Sequence, residues 1–407
     1  MSAPPRVSLQ SFLASARSAL RAPASQRPSP LTFVVGNESA DLDSVCCAIV
    51  YAYLRSHSPP RSSSSNNALH VPLANLPRAD LGLRPELTAA LGHAGLQPAD
   101  LITLSDLPAD HDDDPLRPAD TRWVLVDHNA LTGPLARFAP HVVGCVDHHA
   151  DEGSVPRDAA PRVIEPCGSC LSLIVDETRQ AWDALTSQDD DDAAAWGDDG
   201  LAKLGLAPIL IDTANLGAAD KVKDKDRRAV GYLEGKLLAR PPYSRQAFFD
   251  ELSAVKEDIS KLSFRDILRK DYKQWPESGL VLGVSSIVRG LAYLVDDKAA
   301  GKPQALLDAL AAWADERRLD IAALMTISHP HGHLQRHLLV WGRSPRGKAA
   351  VVCFADAQRR PLGLHTWRDG ELDCHEGETL RLAWCQDELA ASRKRVAPLL
   401  REAMKTA

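Results

Sequence analysis

Long apolar runs and paired cysteines are both scarce in this sequence. No stretch reaches the roughly 18 apolar residues that a membrane-spanning helix needs, and no charged and then apolar signal peptide begins the chain. Only 8 of the 407 residues are cysteine, and Cys46 and Cys47 are adjacent in an apolar stretch, which predicts reduced and buried thiols. Cys167 and Cys170 have CxxC spacing, but no second such pair completes a zinc site. We therefore expect a soluble intracellular protein without structural zinc.

The remaining composition is that of an ordinary globular protein. Apolar residues account for 44% and charged residues for 25% of the chain, which excludes disorder and collagen-like structure for its bulk. At about 150 residues per domain, the length predicts two or three domains. The net charge of −7 conceals two opposite halves: residues 1–215 carry 15 basic and 28 acidic side chains, whereas residues 216–407 carry 32 and 26. A basic second half is compatible with a polyanionic partner, which the average charge alone argues against.

The N-terminal segment has no acidic residue before Glu38 and contains four arginines. This composition weakly resembles a mitochondrial import sequence. The apolar spacing between residues 9 and 20 instead favours an amphipathic helix from Ser8 to Leu20 that caps the first domain. We expect a cytoplasmic protein, with the mitochondrial matrix as the alternative.

Short apolar runs alternate with helical patterns through the first half of the chain. Strands are predicted at residues 31–35, 69–73, 101–104, 123–126, 142–146 and 162–164, and helices at 42–54 and after Cys167. This alternation predicts an α/β domain with a doubly wound, mostly parallel sheet over residues 1–235. Ligands of such sheets bind beyond the carboxyl ends of the strands. Stretches 56–68, 110–114 and 189–192, rich in Ser, Asn or Asp, are predicted surface loops.

The pattern changes after a predicted linker at about residues 236–245. Helices are predicted at 246–256, 264–272, 303–317 and 387–404, and strands at 280–288, 321–327, 338–341 and 349–354. This mixture predicts a smaller α+β domain over residues 246–407. His329, His331 and His333 fall between two predicted strands, and we expect a turn or an auxiliary phosphate contact there rather than a metal site.

Acidic residues stand at the ends of four apolar runs. Asp41 and Asp43 follow the run 31–35. The runs 123–126, 142–146 and 207–211 end at Asp127-His128-Asn129, Asp147-His148-His149 and Asp212. Such endings would align the side chains along one edge of the sheet. Carboxylate oxygens with imidazole nitrogens suit Mn²⁺, Mg²⁺ or Co²⁺. Two such ions about 3.5–4 Å apart are the usual arrangement for phosphoryl hydrolysis.

These motifs resemble those of the DHH phosphoesterase superfamily. The similarity is carried by Asn37-Glu-Ser-Ala-Asp-Leu-Asp-Ser44, Asp127-His-Asn and Asp147-His-His, and it covers nearly the whole chain. Within the superfamily the sequence is most similar to the cytosolic exopolyphosphatases of fungi, a similarity that extends to residues 210–216, 266–274 and 392–394. The manganese pyrophosphatases of the superfamily usually have His where this chain has Asn37.

The resemblance implies a divalent metal site with one or two ions, Mn²⁺ or Mg²⁺, with Co²⁺ as a further candidate. The implied ligands are Asn37, Asp41, Asp43, Asp127, His148 and Asp212. Asp41 and Asp127 would hold one ion, and Asp127 would bridge to the ion that Asp43, His148 and Asp212 hold. Because an amide is a weaker and neutral ligand, Asn37 implies a loosely held first ion.

The resemblance also implies the groups that contact phosphate. His149 would face the substrate, because adjacent residues of an extended segment point in opposite directions, and Asp147 would orient a neighbouring imidazole. Arg393 and Lys394 would act with Asp127 and His149 in catalysis; Lys273, Arg269 and Lys270 would add substrate contacts. Arginine offers a bidentate fork and lysine a point charge to the transferred phosphoryl group.

These features together predict a metal-dependent exopolyphosphatase, in which water attacks the terminal phosphorus of inorganic polyphosphate in line and orthophosphate is released. The two domains are expected to close over the chain end. The enzymatic alternative is a manganese-type pyrophosphatase, or a phosphohydrolase of short polyphosphates or nucleotides; Asn37 disfavours the pyrophosphatase. A polyphosphate-binding protein without catalysis is the alternative from another class. No nucleic-acid or membrane partner is expected, and the oligomeric state is left open, a monomer being compatible with the sequence.

A run of cations, Lys221-Val-Lys-Asp-Lys-Asp-Arg-Arg228, closely follows Asp212. Its interleaved acidic residues favour a charged helix start, whereas its cations would suit a path for a polyanion. The sequence leaves both interpretations open.

Overall fold

The computed structural model describes residues 7–57, 69–108, 115–186, 192–238 and 242–406. Most of the three predicted surface loops, at 56–68, 110–114 and 189–192, lies outside these residues. The chain separates into two compact units, Met1–Val255 and Lys256–Ala407, and each is described by itself. Across the described ranges, no helix combines the length and apolar character needed to cross a membrane.

The first unit is built on a parallel sheet of five strands. The strands are β1 (Leu31–Val35), β2 (His70–Leu73), β3 (Thr121–Val126), β4 (Val142–Asp147) and β5 (Arg162–Ile164), in the spatial order β2-β1-β3-β4-β5. The helices are α1 (Leu9–Arg21), α2 (Leu42–His57), α3 (Pro85–His93), α4 (Cys170–Thr186), α5 (Asp192–Asp212), α6 (Asp224–Glu234) and α7 (Arg245–Glu257). All four neighbouring pairs of strands are parallel, which confirms the predicted fold class.

The core lies on both faces of this sheet. Val34 packs in a cluster with residues of α2, α4 and α5 on one face. Its neighbour Phe33 belongs to the cluster on the other face and stacks on Trp123, with ring centroids 4.6 Å apart. Adjacent strand residues point to opposite faces, and burial of both explains why these strands are continuously apolar.

The predicted amphipathic helix at the N-terminus is confirmed as α1. The Ser8 hydroxyl accepts a hydrogen bond from the backbone N–H of Ser11 at 3.1 Å and so caps the helix. Phe12 is buried and meets Tyr53 of α2 edge to face, with ring centroids 5.4 Å apart. The apolar side of α1 is thus buried in the core of the first unit.

The second unit contains a mixed sheet of six strands, in agreement with the predicted α+β class. The strands are β6 (Tyr272–Glu277), β7 (Leu280–Ile287), β8 (Ile321–Ser328), β9 (Gln335–Gly342), β10 (Leu364–Thr366) and β11 (Leu380–Gln386), in the spatial order β10-β11-β9-β8-β7-β6. The helices are α8 (Phe264–Lys270), α9 (Pro303–Glu316), α10 (Pro345–Gln358) and α11 (Arg393–Lys405). Only β7 and β8 pair in parallel. A short turn, Pro330–Gly332, joins β8 to β9 at the predicted histidine-rich turn.

Three predicted segments are corrected by the structure. Residues 349–354 belong to α10, where Ser344 caps the helix through Gly347 N–H at 3.1 Å, and not to a strand. Residues 101–104 form only an isolated bridge between Thr103 and Ala74, because the Asp106 carboxylate accepts the Thr103 N–H at 2.9 Å. The apolar run 207–211 belongs to the last turns of α5, so Asp212 is the final residue of a helix and does not follow a strand.

Helix α7 follows the predicted linker at about residues 236–245. Its residues Phe248 and Leu252 are buried in the core of the first unit. The second compact unit therefore begins only at Lys256.

Candidate metal centre

Asp127, His148 and His149 come together at the carboxyl ends of the neighbouring strands β3 and β4. Their ligand atoms all lie within 4.8 Å of one another. Asp127 has a left-handed backbone with φ of 60°, and its N–H donates to the carbonyl oxygen of Val146 at 3.1 Å. This conformation is strained for a residue with a Cβ. The left-handed conformation of Asp127 turns the chain away from the direction of β3. The residue nevertheless keeps its backbone hydrogen bond to β4.

His148 is held in one tautomer by the backbone. Its Nδ1 lies 3.0 Å from the carbonyl oxygen of Cys167, which only accepts, so Nδ1 carries the proton. Nε2 then presents a lone pair and lies 3.2 Å from Asp127 Oδ1. Two lone pairs at this distance repel unless a proton or a cation lies between them. A backbone-anchored imidazole beside a carboxylate is a usual arrangement of metal ligands, so these donors fit a divalent cation.

His149 is oriented by Asp147. The Asp147 Oδ1 accepts hydrogen bonds from His149 Nδ1 at 2.8 Å and from its backbone N–H at 3.2 Å, while Asn129 Nδ2 donates to Oδ2 at 2.6 Å. Burial acts to raise the pKa of Asp147, but these bonds outweigh it and bring the pKa down to about 2. Asp147 therefore stays ionised and fixes the orientation of the His149 ring.

Asn37 and Ser44 both bond to Asp127. Asn37 Nδ2 and Ser44 Oγ donate to Asp127 Oδ2 at 2.8 and 2.6 Å. The Asn37 oxygen accepts the Ser39 N–H at 2.8 Å, so the amide acts here as a donor to a predicted ligand. Its own role as a ligand remains a prediction. The sequence does not predict this role for Ser44, because a serine at a helix start is usually a capping residue.

Asp41 and Asp43 lie at the start of α2 in different surroundings. Asp41 is exposed and accepts the Ser44 N–H at 3.0 Å, as a helix cap does. Asp43 is buried and accepts Cys170 N–H at 2.7 Å and the Ser169 hydroxyl at 2.9 Å, at the start of α4. Both residues stay predicted rather than observed members of the metal group.

The electrostatics of the buried carboxylates favour a cation. Burial, followed by the charge of Asp127, raises the pKa of Asp43 to about 6. Burial, followed by the charge of Asp41, raises the pKa of Asp127 to about 6. Each shift means that the surrounding protein leaves negative charge uncompensated. A divalent ion would supply that compensation.

Asp212 ends α5 and is half-buried. Burial is the main reason that the pKa of the Cys46 thiol is raised, and the charges of Asp43, Asp41 and Asp212 contribute in that order. Among the described residues, the close group comprises Asp127, His148 and His149, so the metal contact of Asp212 remains a prediction.

The predicted phosphate-binding cations belong to the second unit. Arg393 is the first residue of α11 and binds Asp271 through its carboxylate at 2.7 Å and its carbonyl oxygen at 3.0 Å. Lys394 follows it and is exposed, and Lys273 is half-buried on β6. Arg269 pairs with Asp266 at 2.9 Å, and Lys270 is buried in α8. The phosphate contacts of these five residues remain predictions.

The run of cations after Asp212 forms the start of α6, as the first of its two interpretations predicts. Lys225 pairs with Glu165, and Arg228 lies 3.7 Å from Asp176. Lys223, which precedes the helix, is exposed. Contact of this helix with a polyanion remains a prediction.

Two family models match the chain: the DHH family N-terminal domain over residues 32–194 and the DHHA2 domain over residues 250–403. A Schizosaccharomyces pombe protein provisionally named an exopolyphosphatase is 33% identical over 382 residues, which cover 92% of this chain and 91% of that protein. The human protein named Exopolyphosphatase PRUNE1 is 26% identical over 403 residues, 97% of this chain and 79% of the human protein.

Two pyrophosphatases are also similar to the chain. A manganese-dependent inorganic pyrophosphatase of Methanothrix thermoacetophila is 26% identical over 297 residues, 72% of this chain and 80% of the relative. A solved Methanococcus jannaschii structure, provisionally described as a family II inorganic pyrophosphatase, has a TM-score of 0.56 at 18% identity and covers 92% of this chain and 99% of its own. At that identity the likeness shows a shared fold.

Proposed function

The chain belongs to the DHH family of phosphoesterases, and on this premise we propose that it is a metal-dependent exopolyphosphatase. Water would attack the terminal phosphorus of inorganic polyphosphate, the terminal P–O–P bond would break, and orthophosphate would leave the shortened chain. The observation that carries this proposal is the close group of Asp127, His148 and His149 at the carboxyl edge of the sheet. Relatives named as exopolyphosphatases support the choice of substrate.

Asp127 and His148 would hold the divalent ion, with Asp41, Asp43, Asp212 and Asn37 as the further proposed ligands. A divalent ion supplies charge stabilisation to phosphoryl oxygens and lowers the pKa of a bound water. We propose Mn²⁺ or Mg²⁺, with Co²⁺ as a third candidate; manganese is the metal in the name of the pyrophosphatase relative. Asp147 would orient the His149 ring, which would face a phosphate oxygen of the substrate.

The second unit would contribute the cations that bind the phosphates of the substrate. Arg393 and Lys394 are in the first turn of α11, a helix of 13 residues. The N–H groups at the start of a helix attract anions, and an arginine guanidinium can bind a phosphate group through two parallel hydrogen bonds. Lys273, Arg269 and Lys270 are proposed as further contacts. The proposed compartment is the cytoplasm, and no nucleic-acid or membrane partner is proposed.

The test is a time course of product lengths from polyphosphate of defined length, with Mg²⁺, Mn²⁺ or Co²⁺. Orthophosphate and chains that shorten from their ends are expected. A spread of mid-length products would contradict attack at the chain end, and tight binding without orthophosphate release would favour the non-catalytic alternative.

A pyrophosphatase is the second candidate. One relative is named a manganese-dependent inorganic pyrophosphatase, and the solved structure that shares the fold is also described as a pyrophosphatase. The same assay on pyrophosphate, tripolyphosphate and long chains separates the two activities. The exopolyphosphatase predicts a higher kcat/KM for long chains than for pyrophosphate. The reverse order would assign the pyrophosphatase activity instead.

A further inference from the structure

The loop from Cys167 to Cys170, here called the 167–170 loop, contacts two proposed metal ligands. Its Cys167 carbonyl accepts His148 Nδ1 at 3.0 Å and so sets the tautomer of that imidazole. Its Ser169 hydroxyl and Cys170 N–H bind the Asp43 carboxylate at 2.9 and 2.7 Å. A displacement of this loop would therefore move both His148 and Asp43.

The loop is in turn held by Asp226, the third residue of α6, whose side chain is fully buried. Its Oδ2 accepts the N–H groups of Gly168 at 3.0 Å and Lys223 at 2.7 Å. Its Oδ1 accepts Ser169 N–H at 3.3 Å, the Ser172 hydroxyl at 2.6 Å and the Cys167 thiol at 3.1 Å. All five partners are donors, which is the arrangement that an ionised carboxylate satisfies best.

Gly168 allows the loop to lie directly on this carboxylate. A Cβ at Gly168 would be 2.7 Å from Asp226 Oδ2 and 2.6 Å from Thr213 Cγ2. Thr213 follows Asp212, a third proposed ligand. The loop is thus packed tightly between α6 and the end of α5, and little space is left for it to relax.

We infer that Asp226 is a positioning residue of the metal centre, which fixes the 167–170 loop and through it His148 and Asp43. A simple cap of α6 would need only the Lys223 N–H, yet three of the other four donors come from the loop and the fourth, Ser172, from α4. The inference rests on the proposed function, because the ligands that it concerns are the proposed ones.

The test compares Mn²⁺ binding by the full chain and by Asp226→Asn, measured by calorimetry and by the electron paramagnetic resonance spectrum of bound Mn²⁺. Asparagine keeps the size of aspartate but places an NH₂ group against two or more donors, so the loop would shift. Loss of a partner that orients a metal ligand typically weakens metal binding by about 10-fold to 100-fold. We expect a loss of that size and a changed spectrum.

The matched control is Asp198→Asn. Asp198 is a buried carboxylate of the same unit that accepts Trp182 Nε1 at 2.6 Å and the Thr186 hydroxyl at 3.2 Å, contacts that do not involve the loop. We expect this variant to unfold at a lower temperature but to bind Mn²⁺ with an affinity within about twofold of the wild type. Equal weakening in both variants would overturn the inference, because a general loss of stability would explain it.

A milder variant keeps the test decisive if Asp226→Asn does not fold. Ser172→Ala removes one donor from Asp226 and leaves the loop backbone intact, and a several-fold loss of Mn²⁺ affinity is expected. Wild-type affinity in every folded variant would overturn the inference. If instead the wild type binds Mn²⁺ but releases no orthophosphate, the proposed function fails while the positioning role is still decided by the affinities.

Discussion

The Asp127 carboxylate is contacted by three other residues of the site. Its carboxylate accepts hydrogen bonds from Asn37 and Ser44 on one oxygen and faces His148 with the other. Its backbone is left-handed, with φ of 60°, a conformation that costs about 1–3 kcal/mol and persists only where the surroundings impose it. The side chain is therefore held in place from the strand, the helix and the neighbouring imidazole.

Asp127→Asn is expected to lower the kcat/KM for polyphosphate by about 100-fold or more, which corresponds to about 2.7 kcal/mol. The amide removes the negative charge that the proposed metal site needs, while the volume of the side chain is kept. The measurement is orthophosphate release under Mn²⁺, with the unfolding temperature as the control for folding. A variant that folds and retains wild-type release would remove Asp127 from the catalytic set.

Asn37→His tests the position at which this chain departs from the pyrophosphatase pattern. An imidazole is a better ligand for divalent ions than an amide, so we expect the Kd for Mn²⁺ to fall by about tenfold, or about 1.4 kcal/mol. We also expect the ratio of pyrophosphate to polyphosphate turnover to rise. Asn37→Ala serves as the control, because it removes the amide without adding a ligand. Equal Mn²⁺ affinity in the two variants would contradict a ligand role for this position.

At the scale of elements, the connection from β1 to α2 is closely packed. A Cβ at Gly36 would lie 2.5 Å from Ser44 Cβ and 2.9 Å from the Ser44 backbone. Gly36→Ala is therefore expected to lower the free energy of unfolding by about 1–3 kcal/mol and to reduce activity, since Ser44 bonds to Asp127. Denaturant unfolding at equilibrium measures the change.

The control for this substitution is Gly92→Ala in α3, where a Cβ would meet no atom within 4 Å. Alanine is favoured over glycine within a helix by about 0.5–1 kcal/mol, so this variant should be slightly stabilised. A destabilisation of equal size at both positions would contradict the steric explanation.

Buried His337 of β9 is expected to make the second unit sensitive to acid. Leu291 N–H donates to its Nδ1 at 3.3 Å, so Nδ1 has no proton in the folded state. Burial, followed by the charge of Arg368, lowers the pKa of His337 from 6.5 to about 4. Below pH 6.5 the unfolded chain binds a proton that the folded chain does not. Because the folded chain keeps this imidazole neutral, its contribution to the free energy of unfolding is fully present above pH 6.5. That contribution decreases as the pH falls toward 4, by up to about 1.4 kcal/mol per pH unit.

His337→Gln removes the titrating group and should flatten the dependence of the unfolding free energy on pH between 6.5 and 4. Urea unfolding at pH 7 and at pH 5 gives the comparison. His365→Gln, at an exposed position of β10, is the control. An unchanged pH dependence in His337→Gln would show that other groups cause the acid sensitivity.

The strands and the sheet edge could be predicted because buried parallel strands appear as short apolar runs that end at polar residues. The runs 207–211 and 349–354 look the same in sequence, yet they belong to α5 and α10. A helix that is apolar over several consecutive residues loses the helical period, so a short window does not distinguish it from a strand. The sequence therefore predicts Asp212 at the end of a strand, whereas the structure has it at the end of a helix.

The same limit applies within the site. Asp127 and His148 could be predicted from their places after two strands, and the structure brings both together. Ser44 and Asp226 could not, because each lies in the first turn of a helix, where Ser and Asp serve mostly as caps. Only their contacts, with Asp127 and with the 167–170 loop, separate these residues from ordinary capping residues.

At the scale of the whole molecule, metal should stabilise the first unit more than the second. The proposed ligands Asp43 and Asp127 are buried carboxylates of the first unit with pKa values raised to about 6. A ligand at 100 times its Kd stabilises the folded state by about 2.7 kcal/mol. Removal of divalent ions with a chelator should therefore lower the midpoint temperature of one calorimetric transition of the full chain. Addition of Mn²⁺ should restore that temperature. Identical transitions with chelator and with Mn²⁺ would contradict a metal site in the first unit.

The hydrogen bond from Cys170 to Asp43 joins residues 127 positions apart in the sequence. Contacts of such long range form late, and a chain emerging from the ribosome contains Asp43 well before the donors that hold it. Asp226, which secures those donors, is synthesised later still. Translation would therefore determine when the ion is acquired. A nascent chain that ends just before α6 carries all six proposed ligands but lacks the residue that keeps His148 and Asp43 in position.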